Sequence, residues 1–529
     1  MRRGRTVAAM SKIINGRLTG ALAVSTAVLV GIAGSVTPAS AAASATPGSA
    51  GLGDRLYPLL GNGGYDVTNY NLRLNHPAKN PAQTVNGSVT ISAVATQNLS
   101  RFNLDFAGNS VGSVYVNGKA ATFSRSGEEL VITPSAYLPK GKGFWVTVNN
   151  FTATPVSATG DAPEGFVATK DGTVLAGQPD TSHNLFPSND HPRDKATYTI
   201  AVTVPSGWKG VASGRHLKTT TAGGYTTSVY REAKPMASEL AQIVAGDFLV
   251  YNRKAVDGVQ IRDVVPRRLS SQLLTKAKAE RAQLTYMTKK VGKYPFENYG
   301  SLVIDADLGF ALETQTLSLY DTGLFGAPAY ILNPIMVHEL AHQWFGDSVA
   351  PKSWSDVWQN EGHATWYELL YAADTKTFKK YTGFADPDAY FKSVYQASDM
   401  LRAEYGPVAR PKGSASVWDV FNPNVYAGGA LALYALKQKI GAKKFAKLER
   451  EWVRKYRGKS ASTQDFIALA SKVSGQNLKP FLTRWLYGTK TPAMPGHSSW
   501  KVSSASAAST TAAADAFIVP LRQHMADHH

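Results

Sequence analysis

The chain has 529 residues, too many for one typical hydrophobic core, so its length predicts at least two domains. A composition of 43% hydrophobic, 10% aromatic and 18% charged residues excludes the disordered and fibrous classes, and the lack of cysteine excludes disulfides and thiolate metal ligands. The net charge of +18 is not concentrated in basic runs mixed with aromatics, so we expect a solvated basic surface and no nucleic-acid partner.

Residues 1–41 have the pattern of a signal peptide. An apolar run from Leu18 to about Ala33 is followed by small residues, with Ala39-Ser40-Ala41 as a cleavage site. A membrane anchor is the alternative, but the run is short and rich in Ala, Gly, Ser and Thr. We therefore expect a secreted, extracellular protein with no stable membrane anchor after signal cleavage. The basic residues that precede the run are Arg2, Arg3, Arg5, Lys12 and Arg17.

A linker of small residues, 42–54, leads into a segment of short alternating stretches that reads as an antiparallel β domain over residues 55–250. Asn117-Gly118 is the signal for a tight hairpin turn. Strands are predicted at Tyr70-Leu72-Leu74, Val89-Ile91-Ala93, Leu130-Ile132 and Tyr198-Ile200-Val202-Val204.

The periodicity changes at about residue 251, and residues 251–495 read as a second, mainly helical domain. Within it we predict a helix near Ser270 to Val291, strands around Ser301 to Ala306, and helices through Ala430 to Tyr487. Residues 496–529 are rich in Ser, Ala and Thr and are predicted to form a flexible tail. The fold class is therefore α+β and multidomain.

The main candidate site is the motif His338-Glu339-Leu340-Ala341-His342. Asn333 as N-cap, Pro334 at the first helical position and Gly346 at the end predict a helix with both imidazoles on one face. Two histidines spaced i, i+4 suit tetrahedral zinc, and the intervening Glu339 can reach a water at an open coordination position.

A third ligand is expected at Glu361, nineteen positions after His342 in Trp358-Gln359-Asn360-Glu361-Gly362. Two histidines and one carboxylate leave one coordination position free, which is typical of a catalytic rather than a structural zinc site. The alternative is a chance HExxH on an ordinary amphipathic helix, which the correctly spaced Glu361 disfavours. His363 is interpreted as a histidine outside the first coordination shell or on the surface, and not as a ligand.

These parts favour amide hydrolysis, because zinc polarises a carbonyl while Glu339 takes a proton from water and delivers it to the leaving amine. One zinc ion per chain is expected, with peptides as substrates.

Several segments together resemble the aminopeptidase N-like zinc metallopeptidases, in the form of a short, two-domain, secreted bacterial-type member. HELAHQWFG and WQNEG match the zinc signatures of that family, and GFALET from Gly309 to Thr314 is similar to its exopeptidase motif GxMEN. Val425-Tyr426-Ala427-Gly428-Gly429 resembles its VYxKG segment, and Phe186 to Pro192 resembles its FPCxDEP turn. The resemblance implies a thermolysin-like catalytic domain and substrates with a free N-terminus.

The resemblance also implies roles for individual residues. Glu313 binds the substrate α-amine with help from Gln178, Gly309 belongs to the same substrate-binding motif, and Tyr426 donates a hydrogen bond to the oxyanion. A carboxylate beside the first subsite fixes the register so that only the first peptide bond is cleaved.

The chain departs from the family pattern at Leu312, Thr314 and Gly428, where the motifs carry Met, Asn and Lys. An endopeptidase or an epoxide hydrolase of leukotriene type on the same zinc core is an alternative function. A peptide-binding protein without turnover is another, disfavoured by the intact set of candidate ligands and by the presence of Glu339 and Tyr426.

Overall fold

The computed structural model describes residues 44–158 and 164–503 of the chain. The predicted signal peptide, 1–41, and the greater part of the predicted tail, 504–529, lie outside the described residues. The part of the chain that precedes residue 248 is built almost entirely of strands, as predicted. Its strands are β1 Thr46–Pro47, β2 Tyr65–Asn75, β3 Val85–Ala95, β4 Leu99–Asp105, β5 Ser113–Val116, β6 Lys119–Ala120, β7 Thr122–Ser126, β8 Glu129–Thr133, β9 Gly143–Ala153, β10 Val156–Ser157, β11 Gly165–Ala168, β12 Gly172–Ala176, β13 Lys195–Pro205, β14 Lys209–Ala212, β15 Arg215–Ala222, β16 Tyr225–Ala237 and β17 Ile243–Gly246.

These strands form three sheets. The largest has eight strands in the order β15-β16-β13-β2-β3-β9-β5-β6, with antiparallel neighbours except for the parallel pair β13 and β2. The others are β1-β4-β8-β7 and β10-β11-β12-β17-β14. Along β13 every second side chain is buried, which is the period expected of a strand with one face on a core. The predicted Asn117-Gly118 turn joins β5 to β6 with positive φ at both residues, 51° and 76°.

The second part of the chain begins with a five-stranded sheet and continues as helices. The sheet has the order β18-β19-β21-β22, with β20 also paired to β19. The strands and α-helices of this second part are β18 Phe248–Val256, β19 Val259–Pro266, α1 Ser270–Lys276, α2 Glu280–Val291, β20 Asn298–Tyr299, β21 Ser301–Ile304, β22 Ser318–Asp321, α3 Thr322–Gly326, α4 Ala329–His342, β23 Val349–Pro351, α5 Trp358–Asp374, α6 Phe378–Thr382, α7 Pro387–Tyr405, α8 Val417–Val420, α9 Pro423–Ile440, α10 Ala442–Tyr456, β24 Lys459–Ala461, α11 Thr463–Ser474 and α12 Lys479–Tyr487.

The buried apolar side chains form two clusters, one for each part of the chain. The helical cluster contains the fully buried Trp344, Trp354 and Trp358, and the β cluster contains Phe102 and Phe151. One face of the second part's sheet packs into the β cluster through side chains such as Leu302 and Leu319, so the two cores are in contact. The α+β prediction, with a β part followed by a mainly helical part, is confirmed. None of the described helices combines the length and the apolar character needed to cross a membrane.

Two helices have limits that differ from the predicted ones. The zinc-motif helix begins at Ala329, so Asn333 and Pro334 lie inside it and the N-cap prediction is wrong. Pro334 lies in the second turn, after a first turn in which Ile331 N–H and Leu332 N–H donate to the Pro328 carbonyl, at 2.9 and 3.0 Å. The helix ends at His342 and not near Gly346. The predicted Ser270 to Val291 helix is interrupted by a 3₁₀ turn at Ala277–Ala279.

The predicted linker, 42–54, and the predicted flexible tail, 496–529, are both packed against the rest of the protein where the structure describes them. Within 42–54, β1 pairs with β4, and the buried Asp54 accepts a hydrogen bond from Trp354 N–H at 2.7 Å. At the other end, Trp500 stacks on Tyr434 with ring centroids 6.0 Å apart. The burial of Trp500 explains why the start of the predicted tail is packed. A prediction based on the Ser- and Ala-rich composition of the tail gave no weight to this single aromatic residue.

Candidate active site

The three predicted metal ligands converge at the contact between α4 and α5. His338 and His342 lie one turn apart on α4, and Glu361 lies in the first turn of α5. Glu361 Oε2 is 3.4 Å from His338 Nε2 and 3.4 Å from His342 Nε2. All three residues are buried, and their ligand atoms lie within 4.8 Å of one another.

This arrangement fits a zinc ion. A tetrahedral ion bound at about 2.0–2.2 Å sets its ligand atoms roughly 3.4 Å apart, the separation seen from Glu361 to each histidine. The second nitrogen of each ring also has a partner that directs the ligating nitrogen inward, as metal-binding histidines require. His338 Nδ1 lies 2.7 Å from Glu368 Oε2, and His342 Nδ1 lies 3.1 Å from the Phe345 carbonyl. Two histidines and one carboxylate leave the fourth position open.

Glu368 is a functional candidate that the sequence analysis missed. It lies seven residues after Glu361 on α5, so both carboxylates face α4. Its other oxygen accepts a hydrogen bond from Tyr381 O–H at 2.7 Å, which fixes the carboxylate beside His338. The i, i+7 spacing of two acids on one buried helix face was the available signal.

The electrostatics of the cluster favour an ionised third ligand. Burial pushes the pKa of Glu361 upward, but the charges and hydrogen bonds of His342 and His338 outweigh it and bring the pKa to about 2. Burial raises the pKa of Glu339 to about 8, opposed by His338 and His342. A divalent cation held by the three ligands adds positive charge beside Glu339 and favours its carboxylate form.

Tyr426 lies beside the ligands, on the first turn of α9. Its ring stacks on His338, with centroids 5.9 Å apart and planes 14° apart. Burial raises its pKa well above the usual value, and the nearby Glu361 adds to this effect. The phenol therefore stays protonated and can donate a hydrogen bond.

Two glycines bring α9 close enough for this contact. A Cβ placed on Gly362 of α5 would lie 2.9 Å from the backbone carbon of Gly429. A Cβ on Gly429 would likewise lie 2.9 Å from Gly362 Cα. Because neither position has room for a side chain, the two glycines set the spacing at which Tyr426 reaches His338 and Glu361.

The predicted amine-binding residues are also together. Gln178 Nε2 donates to Glu313 Oε1 at 3.0 Å, although 135 positions separate the two residues along the chain. Glu313 Oε1 lies 3.7 Å from His342 Nδ1, which places the carboxylate next to the metal ligands. Ligand-type atoms of Glu313, Glu339 and His342 form a second compact group that shares His342 with the first, so both groups belong to one site.

Gln343, which directly follows the zinc motif, ties this loop to α4. Its Nε2 donates to the Glu313 carbonyl at 3.0 Å, and its Oε1 accepts from Thr316 N–H at 3.0 Å. Tyr294 O–H donates to the same oxygen at 3.0 Å. The sequence analysis did not single out Gln343, because a glutamine next to a histidine carries no spacing signal of its own.

The departures from the family motif are accommodated by local bonds. Leu312 exchanges two backbone hydrogen bonds with Leu319, at 2.9 and 2.7 Å, so the strand-like contact does not depend on its side chain. Thr314 Oγ1 has two possible hydrogen-bond acceptors, Gln242 Oε1 at 2.9 Å and the Leu317 carbonyl at 2.5 Å. Gly309 has a φ of 74°, which glycine adopts without strain, and it directly precedes residues that line the cavity described next.

A cavity of about 410 Å³ opens beside this cluster. Gln178 and Tyr426 are both on its wall, so it connects the predicted amine site with the predicted oxyanion donor. Its volume lies within the range of small-ligand sites. The remaining wall is formed by Glu164, Phe310, Ala311, Leu312, Ala415, Ser416, Val417, Trp418 and Phe421.

His363 is buried in the core and not on the surface. Its ring stacks on Phe345 with centroids 4.3 Å apart, and its Nδ1 lies 2.6 Å from the Gln359 carbonyl. Its Nε2 lies 3.4 Å from Glu449 Oε1. The prediction that His363 is not a ligand agrees with this placement, whereas the surface alternative is excluded.

One family model matches the segment of the chain that carries this site. Residues 279–485, which contain α4, α5 and α9, match the model of the Peptidase family M1 domain. This segment of the chain is a Peptidase family M1 domain. The aminopeptidase N-like resemblance found in the motifs is therefore confirmed, and the ligand set together with the M1 family indicates one zinc ion.

Curated M1 relatives include Aminopeptidase M1-B of Oryza sativa subsp. japonica, 28% identical over 315 residues. They also include the glutamyl aminopeptidase of Sus scrofa, 25% identical over 320 residues. Each alignment covers 58% of this chain but only 35% and 34% of the relative, respectively, so the chain spans about a third of the length of these proteins.

Solved structures agree over a larger share of the chain. The M1 zinc metallopeptidase of Deinococcus radiodurans superposes with a TM-score of 0.72 at 26% identity, covering 84% of this chain and 99% of that one. A mutant of the same Deinococcus radiodurans protein bound to a Tyr-Ser-Ala substrate gives the same values. The match thus extends over both the β part and the helical part.

Proposed function

We propose that this protein is a zinc-dependent aminopeptidase that removes one residue at a time from peptides with a free N-terminus. The observation that carries the proposal is the Gln178 and Glu313 pair, 3.0 Å apart, between the cavity and the metal ligands. A peptide ammonium paired with Glu313 places the first carbonyl near the metal ligands, and an acylated N-terminus lacks the charge that this pairing needs. The names of the curated relatives and the Tyr-Ser-Ala substrate of the solved neighbour support the same activity.

The chemistry assigns a separate task to each side chain. When bound by His338, His342 and Glu361, zinc supplies Lewis acidity toward a carbonyl and toward water. Glu339 takes the proton of the attacking water and passes it to the leaving amine. Tyr426 donates its hydroxyl hydrogen to the oxygen on which negative charge grows. Glu313 and Gln178 hold the ammonium so that the first peptide bond occupies the reacting position.

Free and N-acetylated versions of one peptide, with and without a chelator, test the proposal. We expect rapid loss of the first residue from the free peptide, little cleavage of the acetylated one, and no cleavage in chelator. Glu313→Ala should lower kcat/KM for the free peptide by about 1.5–3 kcal/mol in transition-state free energy, the value of a charged hydrogen bond. Glu404→Ala, at an exposed acid outside the site, is the control. Efficient cleavage of the acetylated peptide would favour an endopeptidase instead.

Export is a second part of the proposal, supported by the order of basic, apolar and small residues in 1–41. Expression of the full chain in a secreting bacterial host tests it. The mature N-terminus is expected after Ala41 in protein recovered from the medium. Protein found only in the membrane fraction, with an uncut N-terminus, would contradict export.

A further inference from the structure

The cavity beside the amine-binding pair has an acidic residue on its wall that the proposed mechanism does not use. Glu164 directly precedes β11 and lines the same cavity as Gln178 and Tyr426. Gly177, next to Gln178, approaches it closely, since a Cβ on Gly177 would lie 2.9 Å from Glu164 Cβ. Glu164 therefore lies beside the backbone that carries Gln178.

The wall also carries apolar side chains. Phe310, Leu312, Trp418 and Phe421 supply aromatic and aliphatic surface, and the lining includes no lysine, arginine or histidine. Such a wall suits a side chain with a methylene stem, because long cationic side chains cover apolar surface with their stems. Aromatic faces also attract a cation in their neighbourhood.

Glu164 is available to a ligand. Within residues 44–158 and 164–503, its carboxylate forms neither a hydrogen bond nor an ion pair with another side chain, and the residue is exposed on the cavity wall. The cavity wall removes part of the solvation of this carboxylate and raises its pKa, and a bound cation would replace the lost solvation. An acid in this setting favours a positive ligand group and disfavours a negative one.

We propose that Glu164 selects peptides whose N-terminal residue is arginine or lysine, by pairing with the cationic end of that side chain. The inference rests on the proposed aminopeptidase function, because the N-terminal side chain must enter this cavity when the amine is held by Glu313 and Gln178. It assigns to Glu164 a task different from that of Glu313, which binds the amine common to all substrates.

The test compares arginine with citrulline, which has nearly the same shape without the charge. Fluorogenic amides of arginine, citrulline, lysine and norleucine are assayed with the unmodified protein and with Glu164→Gln. We expect arginine to exceed citrulline, and lysine to exceed norleucine, by about tenfold or more in kcat/KM, as a charged hydrogen bond allows. In Glu164→Gln both ratios should fall to within about threefold of unity, with citrulline and norleucine nearly unchanged. Glu451→Gln, on the solvent side of α10, is the matched control and should keep both ratios.

Isothermal calorimetry with arginine amide and citrulline amide gives a readout that does not depend on turnover. Tighter binding of arginine amide to the unmodified protein, lost in Glu164→Gln, supports the proposal. Equal ratios in both proteins would overturn it. An equal loss for all four amides in Glu164→Gln would also overturn it, because Glu164 would then bind the α-amine. If no amide is hydrolysed but the calorimetric difference is present, the aminopeptidase proposal fails while the specificity site stands.

Discussion

The metal-site residues depend on partners outside the motifs that reveal them. His338 is directed by Glu368, which is in turn held by Tyr381. Substituting Glu368 with Ala should weaken zinc binding by about 10- to 100-fold, because the ring loses the acceptor that fixes its tautomer and orientation. Competition with a calibrated chelator measures the change, and Glu368→Gln should recover part of it. Unchanged zinc affinity in Glu368→Ala would show that helix packing alone orients His338.

The roles of the ligand and of the base can be separated by substitution. His338→Ala removes a ligand and should lose both zinc and activity, whereas Glu339→Gln keeps the three ligands and should lose only turnover. Metal analysis of the purified proteins distinguishes the two cases. Stoichiometric zinc in His338→Ala would remove this residue from the ligand set.

Tyr426 should act only in the transition state. Tyr426→Phe keeps the ring stacked on His338 but removes the donor, so kcat should fall by about 10²- to 10³-fold with little change in KM. Tyr434→Phe is the matched control, because this second tyrosine of α9 bonds to Asp388, at 2.8 Å. A kcat within about threefold of the parent in Tyr426→Phe would leave the residue with a packing role only.

At the scale of elements, the site depends on how closely α5 and α9 approach. Gly362→Ala or Gly429→Ala forces a methyl group into backbone 2.9 Å away, so each should cost about 1–3 kcal/mol of unfolding free energy and displace Tyr426. Chemical denaturation and kcat together measure both effects. Gly326→Ala, where an added Cβ meets nothing within 4 Å, should stay within about 0.5 kcal/mol of the parent. A neutral Gly362→Ala would mean that the helices separate at little cost.

The helix contacts also show what the sequence could predict. Helical geometry placed His338 and His342 on one face of α4, and Glu361 on α5 was expected from its spacing after His342. The pairing of Gln178 with Glu313 came only from resemblance, since no local rule links positions 135 residues apart. Glu164 was not singled out because an acid before a short strand resembles any surface carboxylate until the cavity is formed.

At the scale of the whole molecule, the two parts meet through buried charges. Lys195 of β13 donates to the carbonyls of Asp347 and Ser348, just after the zinc-motif helix. Burial lowers the pKa of Lys195 to about 8, despite nearby acids that raise it. Burial also raises the pKa of Glu232, on β16, to about 8. Stability should therefore depend on pH well above the usual range of carboxyl groups.

Glu232 gives a test of this dependence. Its folded-state pKa lies above the unfolded value, so the stability it contributes is present below about pH 4.5 and is lost as pH rises through about 8. Glu232→Gln cannot titrate and should reduce the fall in unfolding free energy over this window by up to about 1.4 kcal/mol per pH unit. Denaturation at several pH values measures it, with Glu404→Gln as the exposed control. An unaltered pH slope in Glu232→Gln would show that water reaches Glu232 in the folded state.

The contact between Gly362 and Gly429 has an evolutionary consequence. A substitution at either position meets the backbone at the other, so a compensating change cannot come from trimming a side chain. The two positions are therefore locked together, and descendants of this sequence should retain both glycines or move the two helices apart by several linked changes. By contrast, Glu164 is an exposed residue of the cavity wall, so packing opposes a single substitution there much less. The helix contact that positions Tyr426 should therefore change less readily in evolution than the wall of the cavity.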